Sequence, residues 1–287
     1  MSVRIDGSTL EGGGQILRNA TALAHVLGKE VQIDNIRAGR SRPGLRPQHL
    51  CGIQLIADMC QGKLVGGEVQ SKEIQLFPND RIGGSFSADT QTAGSICLIL
   101  QAALPCALFS PAPVFFTLKG GTNAQMAPQV DYHTLVLGPT LARFGVTGID
   151  IHVEKRGFFP RGGGTVKASV QPVQCLKAIR LVDRGRVKRV FGRSFVAGKL
   201  PERVAQVMAA TARDMLSSRI ESSSSSAEAV DIDIDVVCET RRSAEGTGAG
   251  IILIAETDTG CLLAGSQVLN KGQRGEEAAK SAAEMLL

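Results

Sequence analysis

An internal repeat of about 80 residues limits the fold more than any other feature of this sequence. The run from Gln15 to Leu27 is rich in helix formers and stops at Gly28, which suits a C-terminal cap. Val31, Ile33 and Ile36 follow as a short strand, then a loop of Arg, Gly and Pro, then a helix that Pro47 opens and that runs to about Cys60. From Thr92 the order returns: an apolar helix to about Leu104, a strand at 114–118, a glycine loop and a helix opened by Pro128. Arg37-Ala38-Gly39 aligns with Lys119-Gly120-Gly121 at an offset of 82, and Pro47-Gln48 with Pro128-Gln129 at an offset of 81. Each unit closes on a strand pair, within 68–77 in the first and at 149–153 with 165–170 in the second. Alternating helices and strands in a repeated unit predict an α+β, layered α/β architecture with helices on one side of each sheet.

After about Val173 the pattern changes. A strand at 187–196 leads to a helix after Pro201 that reaches about 217, and the serine tract at 222–226 reads as an exposed loop. Residues 230–237 alternate Val and Ile with Asp at strand period, which sets three aspartates on one solvent face. Two further buried strands are expected at 251–255 and 261–264, and GEEAAKSAAEMLL reads as a helix ending on three apolar residues.

Composition removes several classes. With 43% apolar and 21% charged residues, and 33 Gly without a three-residue period, the chain is neither disordered nor collagen-like. Its seven cysteines form no CxxC and no His is spaced to complete a zinc pattern with them, which argues for buried thiols in a reducing compartment. The N-terminus has no hydrophobic signal region. Residues 90–118 carry no charge, but Gln101 and the prolines at 105, 111 and 113 interrupt them, so a buried helix and strand are expected there and not a membrane span.

The net charge of +5 is too small to specify a nucleic-acid partner, so its distribution matters more. Between Asn35 and Ala57 every charged side chain is an arginine: Arg37, Arg40, Arg42 and Arg46. Gly39, Pro43, Gly44 and Pro47 interleave them and hold their forks in a defined loop suited to phosphate. A second basic run, 177–193, reads equally well as solvated surface.

The motifs for Walker-type hydrolysis, Rossmann dinucleotide binding, an α/β-hydrolase elbow and a zincin are missing. The glycine-rich segments that do occur are EGGGQ at 11–15, GGTN at 120–123 and RGGGT at 161–165. Three glycines before a helix let backbone N–H groups approach an anion at its N-terminus. Glu11 beside them would repel phosphate unless a divalent cation bridges the two, and Arg18 lies one turn inside the same helix. Of the four histidines, His25, His133 and His152 read as structural, whereas His49 borders the arginine loop as a substrate contact.

These segments together resemble the RNA 3′-terminal phosphate cyclase family, in its animal-type branch. The resemblance rests on DGSTLEGGGQILR at 6–18, IRAGRSRPGLRPQHL at 36–50, TAGSICLILQAALP at 92–105, KGGTNAQMAPQVDY at 119–132, GFFPRGGGTV at 157–166 and ETDTGCLLAGS at 256–266. It implies repeated units of a four-stranded sheet and two helices, with a smaller inserted α/β domain. On that basis the expected boundaries are a repeat domain at 1–182 (units near 1–85 and 86–182), an inserted domain at 183–272, and the start of a third unit's helix at 273–287. The implied activity is ATP-dependent conversion of an RNA 3′-terminal phosphate to a 2′,3′-cyclic phosphodiester through adenylylated intermediates. The implied cofactors are ATP and a divalent metal, Mg²⁺ or Mn²⁺, and the implied location is the nucleoplasm.

Carried over by motif, Glu11 would hold the metal, and Arg18, Arg37, Arg40, Gln48 and His49 would bind phosphate or the RNA end, with Arg18 and Arg40 supporting catalysis. Gln101 and Pro128 would line the nucleotide pocket. The family's nucleophilic histidine lies in a motif that none of the four histidines here occupies, beyond position 287, so the resemblance implies a C-terminally shortened chain that is inactive or impaired. Two other readings are a non-catalytic RNA- or nucleotide-binding form and an enolpyruvyl-transferase-like enzyme.

Overall fold

The computed structural model describes residues 2–223 and 230–287, and their packing divides into two compact units. The first comprises 1–122, 148–154 and 165–175; the second comprises 123–147, 155–164 and 176–287.

The first repeat runs β1 (Val3–Asp6), α1 (Gly14–Leu27), β2 (Val31–Asp34), α2 (Pro47–Met59), β3 (Lys63–Val65) and β4 (Ile74–Phe77). The second runs β5 (Gly84–Asp89), α3 (Ile96–Leu108), β6 (Val114–Gly120), α4 (Val130–Tyr132), a π-helical turn (His133–Leu137), α5 (Gly138–Arg143), β7 (Ile149–Gly157) and β8 (Gly164–Val170). The sheets have matching orders, β1-β2-β4-β3 and β5-β6-β8-β7, and each starts with a parallel pair joined through a helix. The repeat legible in the sequence is therefore a repeat of topology.

Several expectations need correction in detail. Strands β1 and β5 gave little apolar signal, because both are edge strands with mostly exposed side chains. The pair expected within 68–77 is instead β3 and β4, reversed by a turn in which Gly66 takes a φ of +73°. Strand β6 is half-buried: Val114, Phe116 and Leu118 face the core while Phe115 and Lys119 face solvent. The helix expected at Pro128 begins at Val130 and widens into the π turn, with the Gly138 N–H bonding to the carbonyl of His133. Pro139 follows directly and has no N–H to give to the regular ladder.

In the first unit α1, α2 and α3 pack on one another through Leu17, Ile53, Ile56, Ile99 and Ala103, all essentially inaccessible. Ser95 caps α3, its hydroxyl accepting from the Leu98 N–H at 3.3 Å. The uncharged stretch is thus a buried helix, and among the described residues no helix is long and apolar enough to cross a membrane.

The rest of the chain forms β9 (Val187–Ala197), α6 (Glu202–Ser223), β10 (Asp231–Glu239), β11 (Ala244–Glu245), β12 (Gly248–Thr257), β13 (Leu262–Val268) and α7 (Gly275–Leu286). Its sheet is ordered β10-β9-β12-β13, and β11 pairs with the last residues of β7. The α7 alanines Ala278, Ala279, Ala282 and Ala283 share one core with Ala205, Met208 and Leu216 of α6 and with Ile251 and Leu253 of β12. Asp231, Asp233 and Asp235 do line one exposed face of β10. Ser222 and Ser223 end α6, and the remainder of the serine tract lies outside the described residues. Cys60, Cys97 and Cys106 are buried as expected, but Cys175 and Cys238 are exposed.

Candidate phosphate-binding site

The site grows from the start of α1. Asp6 organises the chain leading into it: its carboxylate accepts from the Ser8 N–H at 2.9 Å, the Ser8 hydroxyl at 2.7 Å and the Asn35 amide at 3.3 Å. Those hydrogen bonds hold its pKa below the ordinary carboxylate value. Gly12 then takes a φ of +54°, and Gly13 sits at the N-cap in extended conformation with no side chain capping the helix. No acidic residue occupies the first turn of α1, so its free N–H groups keep their positive end for a ligand.

The glycines also clear space for side chains. A Cβ on Gly14 would lie 2.5 Å from His49 Nε2 and 3.2 Å from an Arg18 terminal nitrogen, and one on Gly13 would lie 3.3 Å from an Arg40 terminal nitrogen. Three residues distant in sequence thus converge on the backbone of Gly13 and Gly14. Arg18 is aimed by Gln101, whose side-chain oxygen accepts from Arg18 Nε at 2.8 Å. Arg40 is met by Glu11, Nη2 to Oε2 at 3.3 Å, a loose pair in which the Glu11 side chain is 74% exposed.

The arginine loop is fixed at both ends. The Ile36 N–H bonds to the carbonyl of Lys72 at 2.9 Å, that of Gly44 to the carbonyl of Ile36 at 2.8 Å, and that of Leu45 to the carbonyl of Ser71 at 2.9 Å. Gly44, at a φ of +76°, lies too close to the backbone of Gln70 to accept a side chain. Arg37 itself has a φ of +55°, and its buried Nε has no hydrogen-bond partner among the described residues. Burial lowers its pKa, as do the charges of Arg40 and Arg46. An arginine held in this way is an unspent donor in a field of like charge.

His49 completes the group at the third position of α2. Its Nδ1 accepts from the Arg46 N–H at 3.2 Å, so the neutral ring carries its proton on Nε2, the atom nearest Gly14. Burial, then the charges of Arg37, Arg18 and Arg46, push its pKa down to about 4. Gln48 is anchored by its oxygen, which accepts from the Ser95 N–H at 2.8 Å. Arg18, Gln48 and His49 line one narrow cleft together with Thr21 and Ile53.

The second unit holds a different cluster, which the sequence reading missed. Arg156, 4% exposed, donates to Asp131 from both terminal nitrogens at 2.8 and 2.6 Å, to Glu239 from Nε at 2.7 Å, and to Asn123 at 3.3 Å. Asn123 bonds to Gln129 at 2.9 Å, and Gln129 to the carbonyl of Ile251 at 3.0 Å. Burial raises the pKa of Asp131, but the Arg156 hydrogen bonds and charge, with Arg193, outweigh it and leave the carboxyl below its ordinary value. Pro128 belongs to this unit, exposed in a groove with Gln125, Met126, Tyr132, Ser266 and Asn270. Gln101 belongs to the first unit.

Convergent guanidinium groups, a neutral imidazole N–H and an open helix start have the chemistry to hold a phosphate. A profile of the family described as RNA 3′-terminal phosphate cyclase matches residues 9–269. The chain belongs to that family. The cyclase of Pyrobaculum aerophilum is 39% identical over 287 residues, covering 100% of this chain and 79% of the relative. That of Drosophila melanogaster is 39% identical over 269 residues, 94% and 72% of the two chains. That of Hyperthermus butylicus is 41% identical over 285 residues, 99% and 77%.

Of the residues expected for a cyclase, Glu11, Arg18, Arg37, Arg40, Gln48, His49 and Gln101 all fall in the first unit, and Pro128 falls in the second. Among the described residues no group of three or more His, Cys, Asp or Glu side chains is placed to hold a metal ion. Glu11 is the one carboxylate of the EGGGQ segment, so that segment offers a divalent cation a single carboxylate ligand, which fits a cation that takes its other ligands from water and phosphate oxygens.

Proposed function

We propose that the first-unit site grips the terminal phosphate of an RNA 3′ end in the ATP-dependent conversion of that phosphate to a 2′,3′-cyclic phosphodiester. The observation that carries this is the convergence of Arg18, Arg40 and His49 on the side-chain-free backbone of Gly13 and Gly14. A phosphomonoester has no good leaving group, so the neighbouring 2′-hydroxyl cannot close on it directly. Transfer of AMP to the phosphate, with release of diphosphate from ATP, supplies one. The 2′-oxygen then attacks phosphorus, loses its proton and expels AMP. Holding phosphate and ribose in fixed geometry makes that last step an intramolecular one with a large entropic advantage.

Within that reaction Arg18, Arg37 and Arg40 would offset phosphate charge, His49 would donate from Nε2, and the Gln48 amide would donate beside it. Glu11 would give one oxygen to a divalent cation, Mg²⁺ or Mn²⁺, which would lower charge repulsion between phosphates. Gln101 would set Arg18 and touch nucleotide. We read none of the four histidines as the nucleophile, a reading supported by the burial of His25 and His133 and by the engaged Nδ1 and lowered pKa of His49. The animal-type resemblance supports a nucleoplasmic location, which cell fractionation would check.

Incubation with radiolabelled ATP, Mg²⁺ and a 3′-phosphorylated RNA tests these roles. The expected outcome is retention of the 3′-phosphorylated RNA over its 3′-hydroxyl counterpart, with no AMP adduct on His49. An adduct mapped to His49 would overturn its role as a neutral donor.

A further inference from the structure

The RGGGT segment takes no part in the phosphate site, and its structure has an unusual feature of its own. It closes the hairpin between β7 and β8, where Gly162 and Gly163 adopt φ values of +73° and +69° and the Gly162 N–H bonds to the carbonyl of Phe158 at 2.8 Å. Phe158 is buried with its ring centroid 6.0 Å from that of Phe195, and its N–H bonds to the carbonyl of Glu245 at 3.2 Å. The next residue, Phe159, is 81% exposed. In a chain with ten Phe, one Tyr and no Trp, a rigid tip spends an aromatic ring on solvent. The other exposed phenylalanine among the described residues, Phe115, is 49% accessible.

Cations line this hairpin. Lys155 and Arg161 share one carboxylate, Glu245, at 2.8 and 3.9 Å, leaving a net positive charge. The turn after β10, with the exposed Arg241 and Arg242, lies beside β7 behind the tip, because the Ser243 carbonyl accepts from the Arg156 N–H at 2.7 Å and Ala244 pairs with Arg156 in parallel register. Lys155, Arg161, Arg241 and Arg242 along this hairpin outnumber the carboxylates of Glu245 and of Glu239, which is spent on Arg156, and so complement a polyanion. The single ring, fixed at its base, offers a face the size of one base and not the broad apolar patch that a protein partner would bury.

We propose that this hairpin is a docking platform for unpaired RNA, with Phe159 stacking on a nucleobase and Arg161, Arg241 and Arg242 meeting backbone phosphates. The proposal rests on the reading that the chain handles RNA ends, and it adds a contact to the body of the strand. Aromatic–base stacking of this kind changes affinity by about five- to a hundredfold.

Because the chain has no tryptophan, Phe159→Trp in the full chain puts a single indole at the tip. Its emission is expected to be quenched by an unpaired 3′-phosphorylated RNA of ten nucleotides, and unaffected by a blunt duplex or by poly-glutamate. Phe159→Ala is expected to weaken that RNA about tenfold while keeping the preference for 3′-phosphate over 3′-hydroxyl. Unchanged emission at saturating RNA, or wild-type affinity in Phe159→Ala, would overturn the proposal. Quenching by poly-glutamate would also overturn it, in favour of an acidic protein partner. Failure of the phosphate-end reading would show separately, as equal binding of the two RNA ends with the quenching intact.

Discussion

The segments 36–49 and 118–131 occupy the same place in the two repeats, running from the second strand into the second helix, yet they spend their polar groups in opposite ways. In both, a glutamine at the helix start reaches a backbone group of a later element: Gln48 accepts from the Ser95 N–H, and Gln129 donates to the Ile251 carbonyl. Beyond that shared contact they diverge. Among the described residues the arginines of the first loop have one ion-pair partner, an exposed Glu11 in loose contact, and Arg37 Nε has no hydrogen-bond partner. In the second, Asn123, Gln129 and Asp131 are consumed by one another, by Arg156 and by backbone. A surplus of donors left open marks a binding site, whereas a closed network of donors and acceptors marks a structural one.

Four experiments would break or sharpen that contrast. The largest effect belongs to the closed network: Arg156→Met strands Asp131 and Glu239 without their cation and should cost about 3–5 kcal/mol in urea unfolding. A loss below about 1 kcal/mol would show that the network is not structural. Arg18→Ala should do the reverse, weakening 3′-phosphorylated RNA about ten- to a hundredfold by removing hydrogen bonds to a charged group. Its unfolding free energy should stay within about 1 kcal/mol of wild type. Gly14→Ala places a methyl group against His49 and Arg18, and about a tenfold loss of binding is expected if Gly14 is there to make room.

The response to pH is a test of a different kind. His49 has a folded pKa of about 4 against an unfolded value of 6.5, so between those values the unfolded chain binds more protons. The stability that this group contributes is complete above about pH 6.5 and declines as pH falls towards 4. His133, also pushed down to about 4 by burial, acts in the same sense. Bound phosphate should raise the His49 pKa by offsetting the arginine charges, a shift that NMR titration of the imidazole would detect. A His49 pKa that ignores phosphate would separate it from the site.

Much of this was legible in the sequence because it rested on local signals. The repeat showed through matched spacings, α1 and α2 through Gly28 and Pro47, and the clustering of the candidate site through arginines without acids beside three glycines. What was missed depended on partners distant in the chain. Arg156 is an unremarkable basic residue in a strand until Asp131 and Glu239 are brought to it from 25 and 83 residues away. Strands β1 and β5 are edge strands held by backbone pairing, which leaves little apolar periodicity to read. Asp6 lay within a recognised segment, but its task of ordering the glycine loop is visible only in its hydrogen bonds.

The most direct test of the account is a calorimetric titration of this chain with one RNA oligonucleotide ending in either a 3′-phosphate or a 3′-hydroxyl, repeated with the Arg18→Ala, Arg40→Ala double variant. The account predicts at least about a tenfold preference for the phosphorylated end, abolished in the variant while the weaker binding of the hydroxyl end is nearly unchanged. Equal affinity for the two ends, or a preference that survives loss of both arginines, would contradict it.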